Sequence, residues 1–219
     1  MESAERFSDT SSDPPVHGFL HRPESSSGDG LILTHGAGGN AHSGLLHALA
    51  EAFAASGFVV LRCDLPFRQL RHFGPPRPAE AARDRQGLRN AISAIRKIAN
   101  GRVFLGGQSY GGRQASMLLA EEKLVDGLLL LSYPLHPPGH PEKLRTQHLP
   151  NLHVSTLFLQ GTRDPFGTIE EIESARKLIP AKTFLLPVEG AGHDLGFKGK
   201  AKREELPGVV LARFGEFFN

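Results

Sequence analysis

The sequence has a single cysteine, Cys63, among its 219 residues, so no disulfide can form within the chain. Cys63 lies in the apolar run 58–64, which indicates a buried structural thiol rather than a reactive one. No apolar stretch reaches the roughly 20 residues of a membrane span, and residues 1–14 lack the apolar core of a signal peptide. We therefore expect a cytoplasmic protein without disulfides or membrane anchors.

An excess of charge of one sign is also missing. The 25 basic and 23 acidic residues leave a formal net charge of +2, without an extended basic run. This balance argues against nucleic acid as a partner and favours a small-molecule substrate. The chain length suits one α/β domain. We expect a disordered polar arm over residues 1–14 and a single domain over residues 15–219.

Apolar runs typical of buried strands alternate with segments of helical periodicity. Strands are predicted at 31–35, 58–64, 102–108, 128–131, 156–159 and 183–186, with an edge strand at 16–20. Helices are predicted at 43–55, 79–99, directly after Ser109, at 168–178 and at 204–218. The alternation predicts an α/β three-layer sandwich, in which a mostly parallel twisted sheet of six to seven strands has helices on both faces.

Two proline-rich segments, 65–78 and 133–154, interrupt the regular pattern after predicted strands. Ligands bind at the carboxyl ends of strands in such sheets, so we expect these loops near a functional site. Phe67, Arg68 and Tyr133 lie just past strand ends and are candidate substrate-binding residues. Ordinary packing within the loops is the alternative for all three. Neither segment is long enough to form a large cap.

Residues 107–111 read Gly-Gln-Ser-Tyr-Gly, a G-x-S-x-G pattern between a predicted strand and a predicted helix. This context is typical of a nucleophile elbow, a strained turn that presents a serine hydroxyl at the edge of a sheet. Side chains two residues before and two after Ser109 would collide in so tight a turn. Gly107 and Gly111 remove them, and Gly112 relieves the crowding further. A glycine-rich turn that binds phosphate is the alternative.

A serine hydroxyl needs a base within hydrogen-bond reach, and the base needs an acid that orients it. In elbow hydrolases the chain order is serine, acid, histidine. Asp164 follows the strand at 156–159, and His193 lies in a glycine-rich loop after the strand at 183–186. We predict Ser109 as nucleophile, His193 as base and Asp164 as orienting acid. A turn aspartate and a surface-loop histidine are the alternatives.

Other carboxylates fit this order less well. Asp126 precedes its strand, which places it at the opposite edge of the sheet. Asp64 precedes the serine in the chain, and Asp194 adjoins the histidine, so its side chain points elsewhere. Glu189 stays as the second choice for the acid.

A tetrahedral intermediate needs donors for its oxyanion. One is the N–H of the residue after the nucleophile, Tyr110, and the other comes from a loop after an earlier strand. The glycine-rich loop 35–39 is suitable, and we predict the Ala37 N–H as the second donor. A phosphate-binding loop is the alternative for this segment, although it has neither the Walker sequence nor G-x-G-x-x-G.

Four histidines, His136, His140, His148 and His153, form a loose group in the sequence. A zinc site is an alternative for them, but their spacing matches no regular metal-binding pattern and prolines interrupt it. We predict substrate-loop or surface histidines and no metal.

With these motifs, the chain resembles the α/β-hydrolase superfamily over nearly its whole length. It is most similar to small, cap-less members related to dienelactone hydrolases, and to a group that includes a subunit of the NSL histone acetyltransferase complex. The segments 34–38, 132–139 and 161–165 carry the narrower similarity. One departure is the lack of an obvious first strand pair, which predicts fewer strands than the usual eight.

The resemblance implies a serine hydrolase of the carboxylesterase type that acts on esters or thioesters through Ser109, His193 and Asp164, without a cofactor. A small peptidase or a lactone or dienelactone hydrolase is the alternative within catalysis. A non-catalytic interaction module on a hydrolase fold is the alternative from another class, because fold does not dictate function.

Overall fold

The structure is a computed structural model that describes residues 4–197 and 204–219. Eight strands form one sheet. In chain order they are β1 Glu5–Asp9, β2 Val16–His21, β3 Gly30–Thr34, β4 Val59–Cys63, β5 Val103–Gln108, β6 Gly127–Leu131, β7 Thr156–Gly161 and β8 Thr183–Val188. The strand order is β1-β2-β4-β3-β5-β6-β7-β8. β2 pairs antiparallel with both β1 and β4, and the pairs from β4 to β8 are parallel.

Helices connect the parallel strands. They are α1 Gly44–Ala55, α2 Pro66–Leu70, α3 Ala81–Arg96, α4 Tyr110–Glu121, α5 Ile169–Arg176 and α6 Leu206–Phe218, with 3₁₀ turns at Pro78–Glu80 and Leu149–Asn151. α5 begins at a capping box, in which the Glu171 N–H donates to Thr168 Oγ1 and the Thr168 N–H donates to Glu171 Oε2. None of the described helices combines the length and the apolar character that a membrane crossing requires.

Each face of the sheet carries its own hydrophobic core. α3, α4 and α5 pack on one face, and α1 and α6 pack on the other. Neighbouring strand residues divide between the two cores: Leu128 and Leu130 of β6 point to the first, whereas Leu129 and Leu131 point to the second. This alternation explains why the central strands are apolar throughout, since both of their faces are buried. The predicted three-layer α/β class is confirmed.

The predicted number of strands was wrong, because the sheet has eight rather than six to seven. The predicted disordered arm over 1–14 was also wrong where the structure describes it: β1 forms an antiparallel hairpin with β2. Residues 1–3 lie outside the described residues. β1 is an edge strand in which Phe7 is the single large apolar residue, and all five of its residues are at least partly exposed. It therefore has no hydrophobic signature.

Polar contacts tie this hairpin to the body of the domain. Asn90 of α3 donates from Nδ2 to the Pro14 carbonyl oxygen at 2.7 Å, and Lys97 Nζ lies 3.0 Å from Asp9 Oδ2.

The loops at 65–78 and 133–154 lie at the carboxyl edge of the parallel strands, as predicted. The first contains the short helix α2, and the second contains only a 3₁₀ turn. Neither forms a cap.

Candidate active site

Ser109 lies at the sharp turn between β5 and α4, in a backbone conformation that residues other than glycine rarely adopt. Its φ is 50° and its ψ is −116°. Such a conformation costs roughly 1–3 kcal/mol and persists only where the surroundings hold it. The Ser109 N–H donates to the Leu131 carbonyl oxygen at 2.8 Å, and its own carbonyl accepts from the Arg113 N–H at 2.9 Å. The predicted strand–turn–helix arrangement is present.

Three glycines allow the turn to close. A Cβ on Gly107 would lie 2.5 Å from the Gly112 nitrogen, and one on Gly112 would lie 2.5 Å from the Gly107 oxygen. A Cβ on Gly111 would lie 2.5 Å from the His35 carbonyl oxygen. The close contact between Gly107 and Gly112 agrees with the predicted crowding within the turn. Gly111 has a different task, because it lets the loop after β3 approach the elbow closely.

The structure brings together the three residues predicted for nucleophile, base and acid. His193 Nε2 lies 2.8 Å from Ser109 Oγ. On the other side of the ring, Nδ1 lies 2.8 Å from Asp164 Oδ2 and 3.0 Å from Oδ1. Asp164 follows β7 and His193 follows β8, so both lie at the edge of the sheet that carries the elbow. Hydroxyl, imidazole and carboxylate thus form one continuous hydrogen-bonded chain.

Asp164 is buried and held by further donors. Gln160 Nε2 donates to Oδ2 at 3.0 Å, and the Phe166 N–H donates to Oδ1 at 2.9 Å. The Phe166 ring also stacks on His193, with ring centroids 4.1 Å apart. These contacts fix the positions of both acid and base. Sequence analysis missed Gln160 and Phe166; a polar residue at the end of the apolar run of β7 was the available signal for Gln160.

Two competing carboxylates are engaged elsewhere. Asp126 Oδ2 accepts from the Val103 N–H at 2.8 Å, at the amino end of β5 and so at the opposite edge of the sheet. Asp64 Oδ1 accepts from the Ala41 N–H at 2.7 Å, and it lies 3.5 Å from His35 Nε2. The position of Asp126 agrees with the reason for which the sequence argument set it aside, and the contacts of Asp64 hold it at the loop after β3.

The two residues predicted as oxyanion donors line the same cleft as Ser109. Tyr110 is the first residue of α4, so its N–H has no acceptor within the helix. This N–H lies at the positive end of the helix dipole. Ala37 lies in the loop after β3. In residues 4–197 and 204–219, neither amide donates a hydrogen bond to another protein group. Both N–H groups are therefore available to an incoming oxyanion.

Arg68 braces the Ala37 loop and does not line the cleft. Its side chain is buried, and its guanidinium donates to the carbonyl oxygens of Ala37 at 2.7 Å and Gly39 at 2.8 Å. It also donates to the carbonyls of Arg71 at 3.2 Å and Gly74 at 3.1 Å in its own loop. Sequence analysis singled out Arg68 for substrate binding, but its donors point into backbone because a buried guanidinium needs acceptors.

Phe67 and Tyr133, the other candidate substrate-binding residues, are also buried behind the cleft. Phe67 is 1% exposed and packs edge-on against Tyr110, with centroids 5.7 Å apart. Tyr133 is 1% exposed, and its hydroxyl donates to the Arg145 carbonyl oxygen at 2.8 Å. Neither lines the cleft, so the alternative of loop packing describes all three residues.

Asp84 of α3 is a buried residue that sequence analysis missed. Its two oxygens accept from the Tyr110 hydroxyl at 2.7 Å and from the Phe67 N–H at 2.9 Å. Burial raises the pKa of Asp84, and burial also raises the pKa of Tyr110. Asp84 thereby joins the elbow to the loop 65–78. Asp84 lies within α3, before Ser109 in the chain, and no sequence motif surrounds it.

The loose histidine group does not converge. His136 Nε2 lies 3.2 Å from Glu171 Oε2, whereas His148 Nε2 lies 2.8 Å from Ser116 Oγ. The described residues contain no group of three potential metal ligands. His136 instead joins the loop after β6 to the start of α5.

A cleft of about 1220 Å³ lies over Ser109. Its lining includes the glycine-rich loop after β3, the residues of α4 that follow the elbow, Pro134 and Arg145. Phe166 and His193 also line it. A hydroxyl with a hydrogen-bonded base and two free amide donors is an arrangement suited to acyl transfer.

Comparison with known proteins agrees with this architecture. The structure superposes on an alpha-beta serine hydrolase homologue from Coxiella burnetii with a TM-score of 0.75 and 18% identity, covering 97% of this chain and 98% of that chain. A dienelactone hydrolase from Anabaena variabilis matches with a TM-score of 0.74 and 20% identity, over 99% and 96% of the two chains. A lidless serine hydrolase from Xanthomonas campestris gives a TM-score of 0.74 and 16% identity, over 97% and 94%.

These superpositions show a shared fold without a large cap. A family model described as an alpha/beta hydrolase domain matches residues 28–209, from the start of β3 into α6. With most of its chain covered by that model, the protein belongs to the α/β-hydrolase domain family.

Proposed function

We propose that this protein is a serine hydrolase that cleaves carboxylic esters or thioesters through an acyl-enzyme intermediate. The observation that carries the proposal is the hydrogen-bonded chain from Ser109 Oγ through His193 to Asp164, with distances of 2.8 Å at each link. Family membership supports hydrolytic chemistry in general. The roles of the individual residues follow from their contacts.

In the acylation step, His193 Nε2 takes the proton of Ser109 Oγ as that oxygen attacks the carbonyl carbon. The negative charge moves to the carbonyl oxygen, where the N–H groups of Ala37 and Tyr110 receive it. One such donor is worth about 2.7–4 kcal/mol of transition-state stabilisation. As the tetrahedral intermediate collapses, the protonated His193 gives its proton to the leaving alcohol or thiol.

In the deacylation step, His193 takes a proton from water, which attacks the acyl carbon and releases the acid. Asp164 accepts from Nδ1–H throughout, so Nε2 is the basic nitrogen and the imidazolium is stabilised when it forms. Gln160 and Phe166 keep the carboxylate in place. None of these steps requires a metal or an organic cofactor.

Two further activities use the same machinery. The likeness to a dienelactone hydrolase favours lactones as a second substrate class, in which the leaving group stays attached to the acyl chain. A small peptidase is the other alternative. The cap-less cleft suits a small molecule or an extended substrate. A cytoplasmic location stays a prediction.

A non-catalytic interaction module is the competing proposal from another class. It rests on the similarity of segments 34–38, 132–139 and 161–165 to the group that includes an NSL complex subunit. A scaffold has no use for a serine held at φ 50° with a base 2.8 Å away, so the site geometry favours the enzyme.

A fluorophosphonate probe, which labels activated serines, tests the proposal. We expect labelling of the native protein and none of Ser109→Ala. Ser132→Ala is the matched control, since Ser132 also ends a strand at positive φ (52°) but is fully buried. This control should label like the native protein. A native protein that folds, but neither labels nor hydrolyses esters, would rule out the proposal and favour the interaction module.

The substrate class needs a separate assay. Nitrophenyl esters of increasing acyl length, matched thioesters, a lactone and a peptide anilide would each be measured with native protein and Ser109→Ala. We expect kcat/KM to be highest for an ester or thioester. Hydrolysis of the anilide or lactone in preference to both would support the corresponding alternative.

A further inference from the structure

Two buried donors in the wall of the cleft have no acceptor. Arg113 Nε and Gln114 Nε2 are both inaccessible to solvent and both lack a hydrogen-bond partner, and both residues line the cleft. A buried donor without a partner is costly because its desolvation is not compensated, and the cost is greater for a charged group. Two such donors on adjacent residues of the cleft lining indicate a site at which a ligand supplies the acceptors.

The contacts of Gln114 determine which end of its amide is free. Its Oε1 accepts from Arg85 Nη1 at 3.1 Å, and a guanidinium can only donate. The NH₂ group must therefore be the unpaired end, and the position offers a donor to the cleft. Gln114 is 1% exposed, so bulk water does not replace the missing acceptor.

The positive charge beside these donors is also uncompensated. Within the described residues, neither Arg113 nor Arg145 pairs with a carboxylate, and the side-chain contact of Arg145 is to the Pro134 carbonyl oxygen at 3.0 Å. By contrast, Arg85 and Arg89 of α3 pair with Glu121. Burial lowers the pKa of Arg145, and the nearby charge of Arg113 lowers it further. Two positive charges thus lie near each other, and no described carboxylate pairs with either.

The titratable groups nearest to this pair do not neutralise it. Burial lowers the pKa of His148 to about 4 and raises the pKa of Tyr133 to about 12, so both are uncharged at neutral pH. A bound anion would supply the missing acceptor and the missing charge together.

The group lies close to the nucleophile. Arg113 is four residues after Ser109, which corresponds to about 6 Å along the helix axis, and its N–H donates to the Ser109 carbonyl. Tyr110, Arg113, Gln114 and Met117 share the face of α4 that lines the cleft, and Arg145 reaches it from the loop after β6. An anion held here would belong to the same molecule as the scissile carbonyl.

We propose that Arg113, Gln114 and Arg145 form an anion subsite, and that the substrate is an ester or thioester carrying a carboxylate or phosphate several bonds from its carbonyl. The description of the bound molecule as a substrate rests on the proposed hydrolase function, whereas the binding of an anion at these residues does not. Arg113 and Arg145 supply charge and Gln114 supplies an amide donor, so the subsite selects the substrate and leaves the chemical step to Ser109.

Kinetics with paired substrates test the specificity. Nitrophenyl hemiglutarate and nitrophenyl valerate have acyl chains of five carbons and differ in the terminal carboxylate. Acetoxybenzoate and phenyl acetate form a second pair, in which acetoxybenzoate carries a carboxylate on the leaving group and phenyl acetate is neutral. We expect at least a tenfold preference in kcat/KM for the charged member of one pair. Arg113→Gln and Arg145→Gln should each abolish that preference by lowering kcat/KM at least tenfold for the charged ester.

Lys143→Gln is the matched control, because it removes one exposed positive charge two residues from Arg145 without touching the cleft. It should keep the preference. Equal activity of native protein on both members of both pairs would overturn the proposal. So would a uniform loss on charged and neutral esters in the arginine variants, since that result indicates a structural role. Circular dichroism of each variant would check folding.

Direct binding separates this proposal from the hydrolase proposal. Calorimetric titration of Ser109→Ala with glutarate, and separately with inorganic phosphate, measures the subsite without turnover. We expect binding of at least one of them, weakened at least tenfold by Arg113→Gln or by Arg145→Gln, and the stronger ligand identifies the anion. Binding without fluorophosphonate labelling would leave the subsite and remove the hydrolase. No binding of either anion would overturn the subsite alone.

Discussion

Ser109 Oγ and His193 Nε2 lie 2.8 Å apart although the two residues are separated by 84 positions in the chain. The parallel sheet brings them together, because β5 and β8 end at the same edge with β6 and β7 between them. His193 therefore depends on three strand pairings for its position, and on Asp164 for its orientation.

Asp164→Asn should lower kcat by about 10⁴-fold with little change in folding. The amide oxygen and nitrogen no longer hold His193 with its basic nitrogen toward Ser109, so the wrong tautomer is favoured. Steady-state kinetics on a nitrophenyl ester would measure the loss. Glu189→Gln serves as control for the second-choice acid and should stay within about threefold of native kcat. The reverse result would assign the role to Glu189.

Arg68→Lys should impair both stability and catalysis. A lysine cannot serve the carbonyls of Ala37, Gly39, Arg71 and Gly74 together, so we expect a loss of about 2–3 kcal/mol in the free energy of unfolding. Displacement of the Ala37 N–H should lower kcat by roughly tenfold or more with a smaller change in KM. Urea unfolding and steady-state kinetics measure the two effects.

Arg71→Lys is the control for that experiment. Arg71 belongs to the same loop but donates to Pro75 and pairs with Glu80, away from the Ala37 loop. It should leave kcat close to native. Unchanged kcat in Arg68→Lys, together with reduced stability, would limit Arg68 to a purely structural role.

Gly111→Ala should be strongly destabilising, whereas Gly38→Ala should not. The new Cβ at position 111 would lie 2.5 Å from the His35 carbonyl oxygen, and at position 38 it would meet nothing within 4 Å. We expect a loss of about 3 kcal/mol for the first and less than about 1 kcal/mol for the second. Chemical denaturation measures both. Similar values would show that the elbow and the loop after β3 are not in tight contact.

The stability of the protein should fall on mild acidification, and His148 should contribute to that fall. Burial, with the charge of Arg113, lowers its folded pKa from 6.5 to about 4. Between these pH values the unfolded chain binds a proton that the folded chain does not, so the free energy of unfolding decreases as pH falls through this window. One residue accounts for up to about 3 kcal/mol. At and above pH 7 this contribution is fully present.

His148→Gln tests that assignment, because glutamine can still contact Ser116 but does not titrate. Urea unfolding at pH 7.5, 5.5 and 4.5 should show a smaller decrease for the variant than for the native protein. Parallel decreases in both proteins would assign the acid sensitivity to other groups.

Local patterns were sufficient where burial or turn sterics act over short distances. The apolar runs of β3 to β7 are buried on both faces, so their composition alone predicts them. β1 escaped prediction because it packs at an edge and owes its position to pairing with β2 and to contacts such as Asn90 with Pro14. Long-range contacts of this kind have no periodic signature.

At the site, too, some residues could be predicted from the sequence and others could not. The convergence of Ser109, Asp164 and His193 could be predicted because strand ends and chain order restrict where these side chains can lie. Phe67, Arg68 and Tyr133 also follow strand ends, yet their side chains turn into the protein. The position of a residue along a loop does not determine the direction of its side chain, since packing partners from other elements do.

The sequence by itself therefore determined the α/β class, the elbow at Ser109 and the order of its partners, because these depend on local burial, steric limits and chain direction. Only the tertiary structure decided the eighth strand, the bracing of the Ala37 loop by Arg68 and the unpaired charges of Arg113 and Arg145. Each of these depends on whether groups distant in sequence supply an acceptor or an opposite charge, which becomes defined only when the layers pack.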